Sequence, residues 1–194
     1  MRIISGSARG RTLLAPQGVR VRPTADRIKE ALFSIILSRE GNLGGKRLLD
    51  LCAGTGGLGI EALSRGAETA LFVDNHRESA DFITRNIELA GFSGQGRVLV
   101  RDAVSVLGEL EERGESFDLI FLDPPYRMGL TEKILARVGH SRLLTDEALM
   151  VVEFATGEEL ASTFGRLQEC DRRRYGATSV AFFELRTQNL EHRT

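Results

Sequence analysis

Residues 47–59 of the chain read RLLDLCAGTGGLG. The apolar run at 47–51 predicts a short buried strand, and the glycines behind it predict a tight turn into a helix over 57–64. Glycine at such a turn lets a ligand approach the backbone closely. The stretch therefore predicts the first strand–loop–helix unit of an α/β sheet, with a ligand-binding loop over residues 52–56.

Strands and helices alternate along the chain after this unit. Hydrophobic periodicity predicts strands at 69–74, 97–101, 117–123 and 148–154, and helices at 78–90, 104–112 and 131–138. This alternation is typical of a parallel sheet covered on both faces by helices. Residues 166–175 and 178–185 predict two strands joined by a turn, and hence a terminal antiparallel hairpin. Ahead of the core, Thr24 is predicted to N-cap a helix that ends near Gly41.

The bulk composition bounds the class of protein. The chain has 194 residues, enough for one domain with a full core. Its two cysteines and three histidines have no metal-ligand spacing, and no apolar run has the length of a membrane span. We therefore expect a cytoplasmic protein without metal or disulfide, and a monomer.

Charge is unevenly distributed along the chain. Residues 1–29 contain seven arginines and lysines against one acidic residue, whereas the whole chain has a net charge of −1. The arginines stand among glycines and strand-forming residues, which favours a short ordered hairpin over a disordered tail. A basic segment of this kind favours contact with the phosphates of a polyanion, and the alternative is a solvated surface segment. We interpret residues 1–40 as a basic hairpin and helix, and residues 41–194 as the main domain.

The glycine loop alone is compatible with a dinucleotide site or with a simple tight turn. Its spacing departs from the dinucleotide fingerprint, because Gly54-Thr55-Gly56 is followed directly by Gly57. A carboxylate at Asp50 would also disfavour a pyrophosphate on the following helix. Asp50 suits a cationic ligand instead, such as an ammonium or a sulfonium.

Two further carboxylates are predicted at the ends of the next strands. Asp74 follows the second strand, where it could accept both hydroxyls of a ribose, and Asp102 follows the third, where it could meet an adenine edge. The carboxyl ends of parallel strands line the crevice in which such sheets bind ligands. The pattern favours an adenosine-containing ligand over three unrelated strand caps.

The fourth predicted strand ends in Asp123-Pro124-Pro125-Tyr126. Consecutive prolines fix φ and hold Asp123 extended, which forms a rigid ledge of acceptors followed by an aromatic ring. The Asp123 carboxylate and the Pro124 carbonyl could accept both N–H groups of a planar amine, and Tyr126 could stack on its ring. This arrangement predicts methyl transfer to a planar amino group, and the amino group of a nucleobase is the preferred acceptor.

With these motifs the chain resembles the class I methyltransferases, and in particular the RsmD family of bacterial 16S rRNA guanine-N2 methyltransferases. The stretches that carry the resemblance are RIISG (2–6), RGR (9–11), RPTADRIKEALF (22–33), LDLCAGTG (49–56), EALSRGA (61–67) and DPPY (123–126). The resemblance implies a Rossmann-like α/β fold, a seven-stranded mostly parallel sheet whose last strand is antiparallel, with a small N-terminal hairpin and helix.

The resemblance also implies the cofactor, the substrate and the site residues. S-adenosylmethionine would be the donor, and the acceptor would be the exocyclic N2 amine of the guanine-966 position in 16S rRNA, free or in an assembling small subunit. The predicted catalytic residues are Asp123, Pro124, Pro125 and Tyr126. The predicted donor-binding residues are Thr24, Asp50, Cys52, Ala53, Gly54, Thr55, Gly56, Asp74, Asn75, Asp102, Ala103 and Asp123. The predicted RNA contacts are Arg9, Arg11, Arg22 and Arg127.

Two other functions stay open on the residues alone. The tetrapeptide is shared in versions by adenine-N6 methyltransferases of DNA or RNA and by glutamine methyltransferases, although the short segment after Glu153 leaves little room for their recognition domains. A non-catalytic nucleic-acid-binding module is the third reading, against which the intact loop and tetrapeptide argue.

Overall fold

The structure is a computed structural model that describes residues 1–16, 23–125 and 129–186, with the backbone alone at 23–25. Its elements, in chain order, are α1 (Pro23–Glu40), β1 (Arg47–Leu51), α2 (Gly57–Ser64), β2 (Thr69–Asp74), α3 (Arg77–Ala90), β3 (Gly96–Val100), α4 (Ala103–Glu112), β4 (Phe117–Leu122), α5 (Leu130–Gly139), β5 (Leu144–Ala155), β6 (Thr163–Phe164), β7 (Leu167–Tyr175) and β8 (Thr178–Leu185). None of the helices in these ranges is long and apolar enough to cross a membrane.

All eight strands form one sheet in the order β3-β2-β1-β4-β5-β8-β7-β6. Strands β1 to β5 are parallel, whereas β8 inserts antiparallel between β5 and β7. The chain runs outward from β1 to β3 on one side and from β4 to β5 on the other. The junction of β1 and β4 is therefore the switch point at which open α/β sheets bind ligands.

Alternating side chains of the central strands enter two separate cores. On β1, Leu48 packs into the core under α1, α2 and α3, whereas Leu49 and Leu51 pack into the core under α4 and α5. Phe33 of α1 meets Phe121 of β4 edge to face, with ring centroids 5.6 Å apart. Because both faces are covered, the central strands read as near-continuous apolar runs, which is why the sequence predicts them so closely.

The predicted fold class is confirmed, with four corrections to the helices and strands. Strand β5 begins at Leu144 rather than at residue 148. The sheet has eight strands rather than seven, because the two-residue β6 pairs with β7. Helix α1 begins at Pro23, so Thr24 lies in its first turn rather than at the N-cap. Proline suits the first helical position, because its fixed φ is helical and its missing N–H has no partner there. Strand β3 ends at Val100, and Asp102 is the N-cap of α4.

The N-terminal segment, residues 1–14, is termed the arm below. It folds back on itself around a single bridge between Arg2 and Thr12 instead of forming the two regular strands of the predicted hairpin. Ile3, Ala8 and Leu13 are buried in the same core as α1, α2 and α3. The arm and α1 thus pack directly on the sheet domain.

Candidate active site

A cleft of about 900 Å³ opens at the carboxyl ends of β1, β2, β3 and β4. Its lining comes from the loops that follow these strands, and from the first turns of α4 and α5. The lining residues are Cys52, Gly54, Val73, Asp74, Asn75, His76, Arg101, Asp102, Ala103, Asp123, Pro124, Pro125, Leu130 and Lys133. The cleft lies at the switch point of the sheet and has the size of a site for a ligand such as a nucleoside derivative.

Asp74 joins the second strand to the glycine loop. It is nearly buried, and its Oδ2 accepts the Gly54 N–H at 2.9 Å while its Oδ1 accepts the His76 N–H at 2.9 Å. These bonds fix both the carboxylate and the loop that it faces. An oxygen atom that already accepts one hydrogen bond has a second lone pair, so the carboxylate can still accept ligand hydroxyls.

The glycine loop turns sharply as it leaves β1. Cys52 has a φ of 59° and Gly56 a φ of 79°. The left-handed region is uncommon for a residue with a side chain, so Cys52 holds a strained backbone at the cleft wall. Burial, together with the carboxylates Asp74 and Asp123, raises the pKa of the Cys52 thiol to about 12. A protonated thiol is inert as a nucleophile, in agreement with the sequence interpretation.

Asp50 lies beneath the loop instead of in the cleft. It is 1 % exposed, and its Oδ2 accepts the Gly59 N–H at 2.9 Å in the first turn of α2. A Cβ on Gly59 would lie 2.3 Å from the Phe72 ring, so only glycine allows this close approach. Burial, and next the Asp74 charge, raise the pKa of Asp50 to about 7.

Asp102 is tied to its own helix. Its Oδ1 accepts the Val104 N–H at 3.1 Å, the Ser105 N–H at 2.9 Å and the Ser105 hydroxyl at 2.9 Å. The Ser105 bonds hold the pKa of Asp102 below its ordinary value. The ionised carboxylate thus caps α4 and faces the cleft at the same time.

Asp123 follows the last residue of β4 and lies on the cleft floor. Its N–H donates to the Leu51 carbonyl at 3.4 Å, which continues the β1–β4 ladder by one residue. The side chain is open to the cleft, yet the protein atoms crowded around its carboxylate and the charges of Glu153 and Asp50 raise its pKa well above the ordinary range. Pro124 behind it is buried, which anchors the ledge.

The structure brings together most, but not all, of the predicted site residues. Seven of the predicted donor-binding residues line the cleft: Cys52, Gly54, Asp74, Asn75, Asp102, Ala103 and Asp123. Four others do not line the cleft: Asp50 lies beneath the loop, and Ala53, Thr55 and Gly56 belong to the loop itself. Arg9 and Arg11 are exposed on the arm, and Arg11 Nη1 also donates to the Leu89 carbonyl at 2.8 Å. The side chain of Thr24, and residues Arg22, Tyr126 and Arg127, lie outside the described part of the chain.

Comparisons with known proteins show the family to which the chain belongs. A family model described as "Conserved hypothetical protein 95" matches residues 1–184. The chain is 38 % identical to YlbH of Bacillus subtilis (strain 168), over 96 % of this chain and all of that protein. It is 36 % identical to "Ribosomal RNA small subunit methyltransferase D" of Escherichia coli (strain K12), over 79 % of this chain and 74 % of that protein. The chain belongs to the family of this model, "Conserved hypothetical protein 95".

The solved structures agree with this placement. The protein yhhF of Escherichia coli superposes with a TM-score of 0.83 and 32 % identity, covering 97 % of this chain and 99 % of that one. The RsmD resemblance drawn from the sequence motifs is therefore confirmed. The chain has the S-adenosylmethionine-dependent methyltransferase fold, as predicted.

The cleft fits the cofactor that this family implies. Three of its lining residues are carboxylates, Asp74, Asp102 and Asp123, and the buried Asp50 lies close behind them. Such a concentration of negative charge favours a cationic ligand, which an S-adenosylmethionine sulfonium and ammonium would provide. The Asp74 carboxylate lines the cleft together with Gly54, and no atom of the described residues, apart from Gly54 and its chain neighbours, lies within 4 Å of the position that a Cβ on Gly54 would take.

Five lining residues were missed in the sequence: Val73, His76, Arg101, Leu130 and Lys133. Val73, His76 and Arg101 are neighbours of Asp74 and Asp102, so the strand-end rule that found the aspartates could have included them. Leu130 and Lys133 belong to α5, whose first turn reaches the cleft only through the tertiary fold. No local sequence signal distinguishes them from other helix residues.

Replacing Asp50 with asparagine should stabilise the protein at alkaline pH. Because the folded pKa of Asp50 lies above its unfolded value of 3.8, ionisation destabilises the folded state, and this cost grows between about pH 4 and pH 7. Asparagine keeps an acceptor for the Gly59 N–H without the charge. We expect a gain on the order of 1–4 kcal/mol at about pH 8 and much less at about pH 4, measured by urea unfolding.

The exposed Asp146 at the amino end of β5 provides the control, since Asp146→Asn removes an equal charge from solvent. An Asp50→Asn gain that is the same at both pH values, or no gain at all, would contradict the buried-charge account.

Proposed function

We propose that the chain transfers a methyl group from S-adenosylmethionine to the N2 amine of a guanine in 16S rRNA, at the guanine-966 position, during maturation of the small ribosomal subunit. The observation that carries this proposal is the Asp123-Pro124-Pro125 ledge on the floor of an acidic cleft at the sheet's switch point. Family membership supports the rRNA target, because one relative is named a small-subunit rRNA methyltransferase.

Asp123 is proposed to orient and deprotonate the target amine. Its carboxylate accepts one N–H of the amine, and the Pro124 carbonyl accepts the other, so the nitrogen lone pair is aimed toward the donor side of the cleft. As the new N–C bond forms, the nitrogen becomes positive and its extra proton passes to the Asp123 carboxylate. The raised pKa of Asp123 makes this carboxylate a better proton acceptor than a free aspartate.

The donor half of the cleft is proposed to bind S-adenosylmethionine, which when bound supplies an electrophilic methyl group on its sulfonium. Asp74 accepts the ribose hydroxyls, and the loop residues Cys52 and Gly54 line the adenosine. Asp102 with Ala103 contacts the adenine edge, since the Ser105 bonds engage only one oxygen of Asp102. Asp50 holds α2 under the loop through Gly59.

The N-terminal region, residues 1–40, which includes the arm and α1, is proposed to contact the RNA backbone. Arg9 and Arg11 are exposed on the arm, and their guanidinium groups suit phosphate. Arg22 and Arg127 are proposed as further contacts, and Tyr126 as the ring that stacks on the target base. A guanine within a helix must be extruded before it reaches the ledge.

The direct test is transfer of tritium from labelled S-adenosylmethionine to small ribosomal subunits that lack the modification. Digestion of the RNA should place the label in N2-methylguanosine. Label in N6-methyladenosine or in protein would overturn the guanine assignment, and no transfer with intact donor binding would favour a binding module.

The pH dependence of the transfer rate should depend on two carboxylates, Asp123 after β4 and Glu153 near the end of β5. Transfer requires ionised Asp123, so the single-turnover rate should fall as the pH drops through the Asp123 pKa. Glu153 is one of the charges that raise this pKa. Replacing it by Glu153→Gln should therefore lower the pKa and move the inflection of the rate profile to lower pH.

The exposed Glu147 on the same strand gives the matched control, Glu147→Gln, which should leave the inflection in place. An inflection that Glu153→Gln leaves unmoved, or moves to higher pH, would refute the role of ionised Asp123.

Removing the arm's arginines should weaken RNA binding in a salt-dependent way. For Arg9→Ala, the slope of log affinity against log salt should fall by about 0.7–0.9, the value for one phosphate contact. Donor binding should be unchanged. Arg9 is the better position for this test, because the Arg11 guanidinium also donates a hydrogen bond to the Leu89 carbonyl of the protein itself. The exposed Arg113 at the far end of α4 supplies the control, Arg113→Ala, and equal slopes for both variants would exclude an RNA contact through Arg9.

A further inference from the structure

The arm is fastened to the body by buried polar groups. Glu61 of α2 is fully buried, and its carboxylate accepts the Ile4 N–H at 2.7 Å and the Ser5 N–H at 3.0 Å. The same carboxylate forms ion pairs with Lys29 Nζ of α1 at 3.4 Å and with Arg65 Nε at 2.8 Å. A buried acceptor with this many donors holds its partners in one geometry, so the arm is a fixed part of the fold.

Asn86 of α3 connects the arm to the donor loop. It is fully buried, and its side-chain amide makes three hydrogen bonds. Its Oδ1 accepts the Leu14 N–H at 2.7 Å, and its Nδ2 donates to the Leu14 carbonyl at 3.0 Å and to the Thr55 carbonyl at 2.9 Å. One side chain thus holds both backbone groups of the arm's last residue and a carbonyl of the glycine loop.

The chain of bonds continues from Asn86 into the cleft. Thr55 is adjacent to Gly54, whose N–H donates to the Asp74 carboxylate. A second contact joins the arm to the same region, since a Cβ on Gly57 would lie 2.5 Å from Met1 Sδ. Met1 in turn accepts the Leu13 N–H at 2.8 Å. The first residue of the arm therefore contacts the segment that follows β1 directly, and the last residue is joined to that segment through Asn86.

We propose that Asn86 is a positioning residue that couples the arm to the donor loop, so that occupancy of the donor cleft and engagement of RNA by the arm favour each other. The RNA half of this statement rests on the proposed function, whereas the link between loop and arm does not. A shift of the loop moves the Thr55 carbonyl, and Asn86 passes the shift to Leu14. Such coupling is reciprocal, so RNA held by the arm must strengthen donor binding by the same factor.

Hydrogen exchange tests the link without RNA. In the unaltered protein, saturating S-adenosylhomocysteine should slow amide exchange at Leu14 by about fivefold or more, a factor typical of coupled sites. It should also slow exchange in the loop over residues 52–60. In Asn86→Ala the loop should still slow on binding, but Leu14 should not. If S-adenosylhomocysteine does not change the amide exchange rate of Leu14 in the unaltered protein, the proposal is overturned. This result decides the matter even if Asn86→Ala does not fold.

Leu110→Ala is the matched control for lost stability. Leu110 is fully buried in the core on the opposite face of the sheet, away from the arm and the loop. This variant should keep the donor-induced slowing at Leu14. Loss of the slowing in Leu110→Ala would mean that any destabilisation uncouples the arm, and it would also overturn the role of Asn86.

Calorimetry with unmethylated small subunits tests the reciprocal effect. Their presence should tighten S-adenosylhomocysteine binding about fivefold or more in the unaltered protein and leave it unchanged in Asn86→Ala. Equal tightening in both proteins overturns the role of Asn86. Subunits that do not bind at all count against the proposed RNA target, in which case the exchange result alone decides the link.

Discussion

Replacing Asp123 with alanine should lower the rate of methyl transfer by about 10²–10³-fold, the loss expected for one preorganised group that stabilises developing charge. The variant loses both the acceptor that orients the amine and the base that takes its proton, while Pro124 and the glycine loop stay in place. Single-turnover kinetics with saturating donor measure the effect. The dissociation constant of S-adenosylhomocysteine should change little, because Asp123 is expected to act on the acceptor side.

Asp123→Asn separates the two parts of this role. Its amide oxygen still accepts an N–H, so orientation is kept in part, but it cannot take the proton at any working pH. We expect a rate between those of the unaltered protein and Asp123→Ala, and a profile that no longer falls toward acid. A near-normal rate for Asp123→Ala would remove the residue from the chemistry.

Asp74→Ala should weaken donor binding about 100-fold or more. The proposed bonds from two ribose hydroxyls to a carboxylate are charge-assisted, and each contributes about 1.5–3 kcal/mol. The change also releases the Gly54 N–H and the His76 N–H, which loosens the loop. A factor of 100 corresponds to about 2.7 kcal/mol, which is the contribution of one such bond and hence the least expected for the loss of two.

Calorimetry with S-adenosylhomocysteine measures this change directly. Asp81→Asn is the control, because Asp81 is an exposed carboxylate on α3 that faces Arg77 rather than the cleft. If Asp74→Ala and Asp81→Asn bound the ligand with equal affinity, the ribose role of Asp74 would be excluded.

The central strands were predictable because they are buried on both faces. β1, β2, β4 and β8 lie within one residue of their predicted bounds, since a buried apolar run leaves few alternatives. The polar and partly exposed β7 was also located to within one residue, because a turn joins it to β8. The switch-point location of the cleft also follows from the alternating elements. Asp74 and Asp123 could be selected from sequence because strand ends and consecutive prolines carry local physical signals.

Other features depend on tertiary contacts that no local pattern contains. The two-residue β6 exists only because β7 is beside it. Asp50 follows the strand-end rule but is turned under the loop toward Gly59, which a sequence pattern does not reveal. Asn86 has no sequence feature that distinguishes it from other helix residues, and only its three hydrogen bonds show that it connects the arm to the loop.

The most direct test of the account is mass mapping of 16S rRNA from cells that lack this gene and from the same cells supplied with the unaltered protein or with Asp123→Ala. In the absence of the gene, one guanosine of 16S rRNA should lack a single N2-methyl group. The unaltered protein should restore this methyl group, and Asp123→Ala should not. An unchanged 16S rRNA map, or loss of a methyl group from an adenosine instead, would contradict the account.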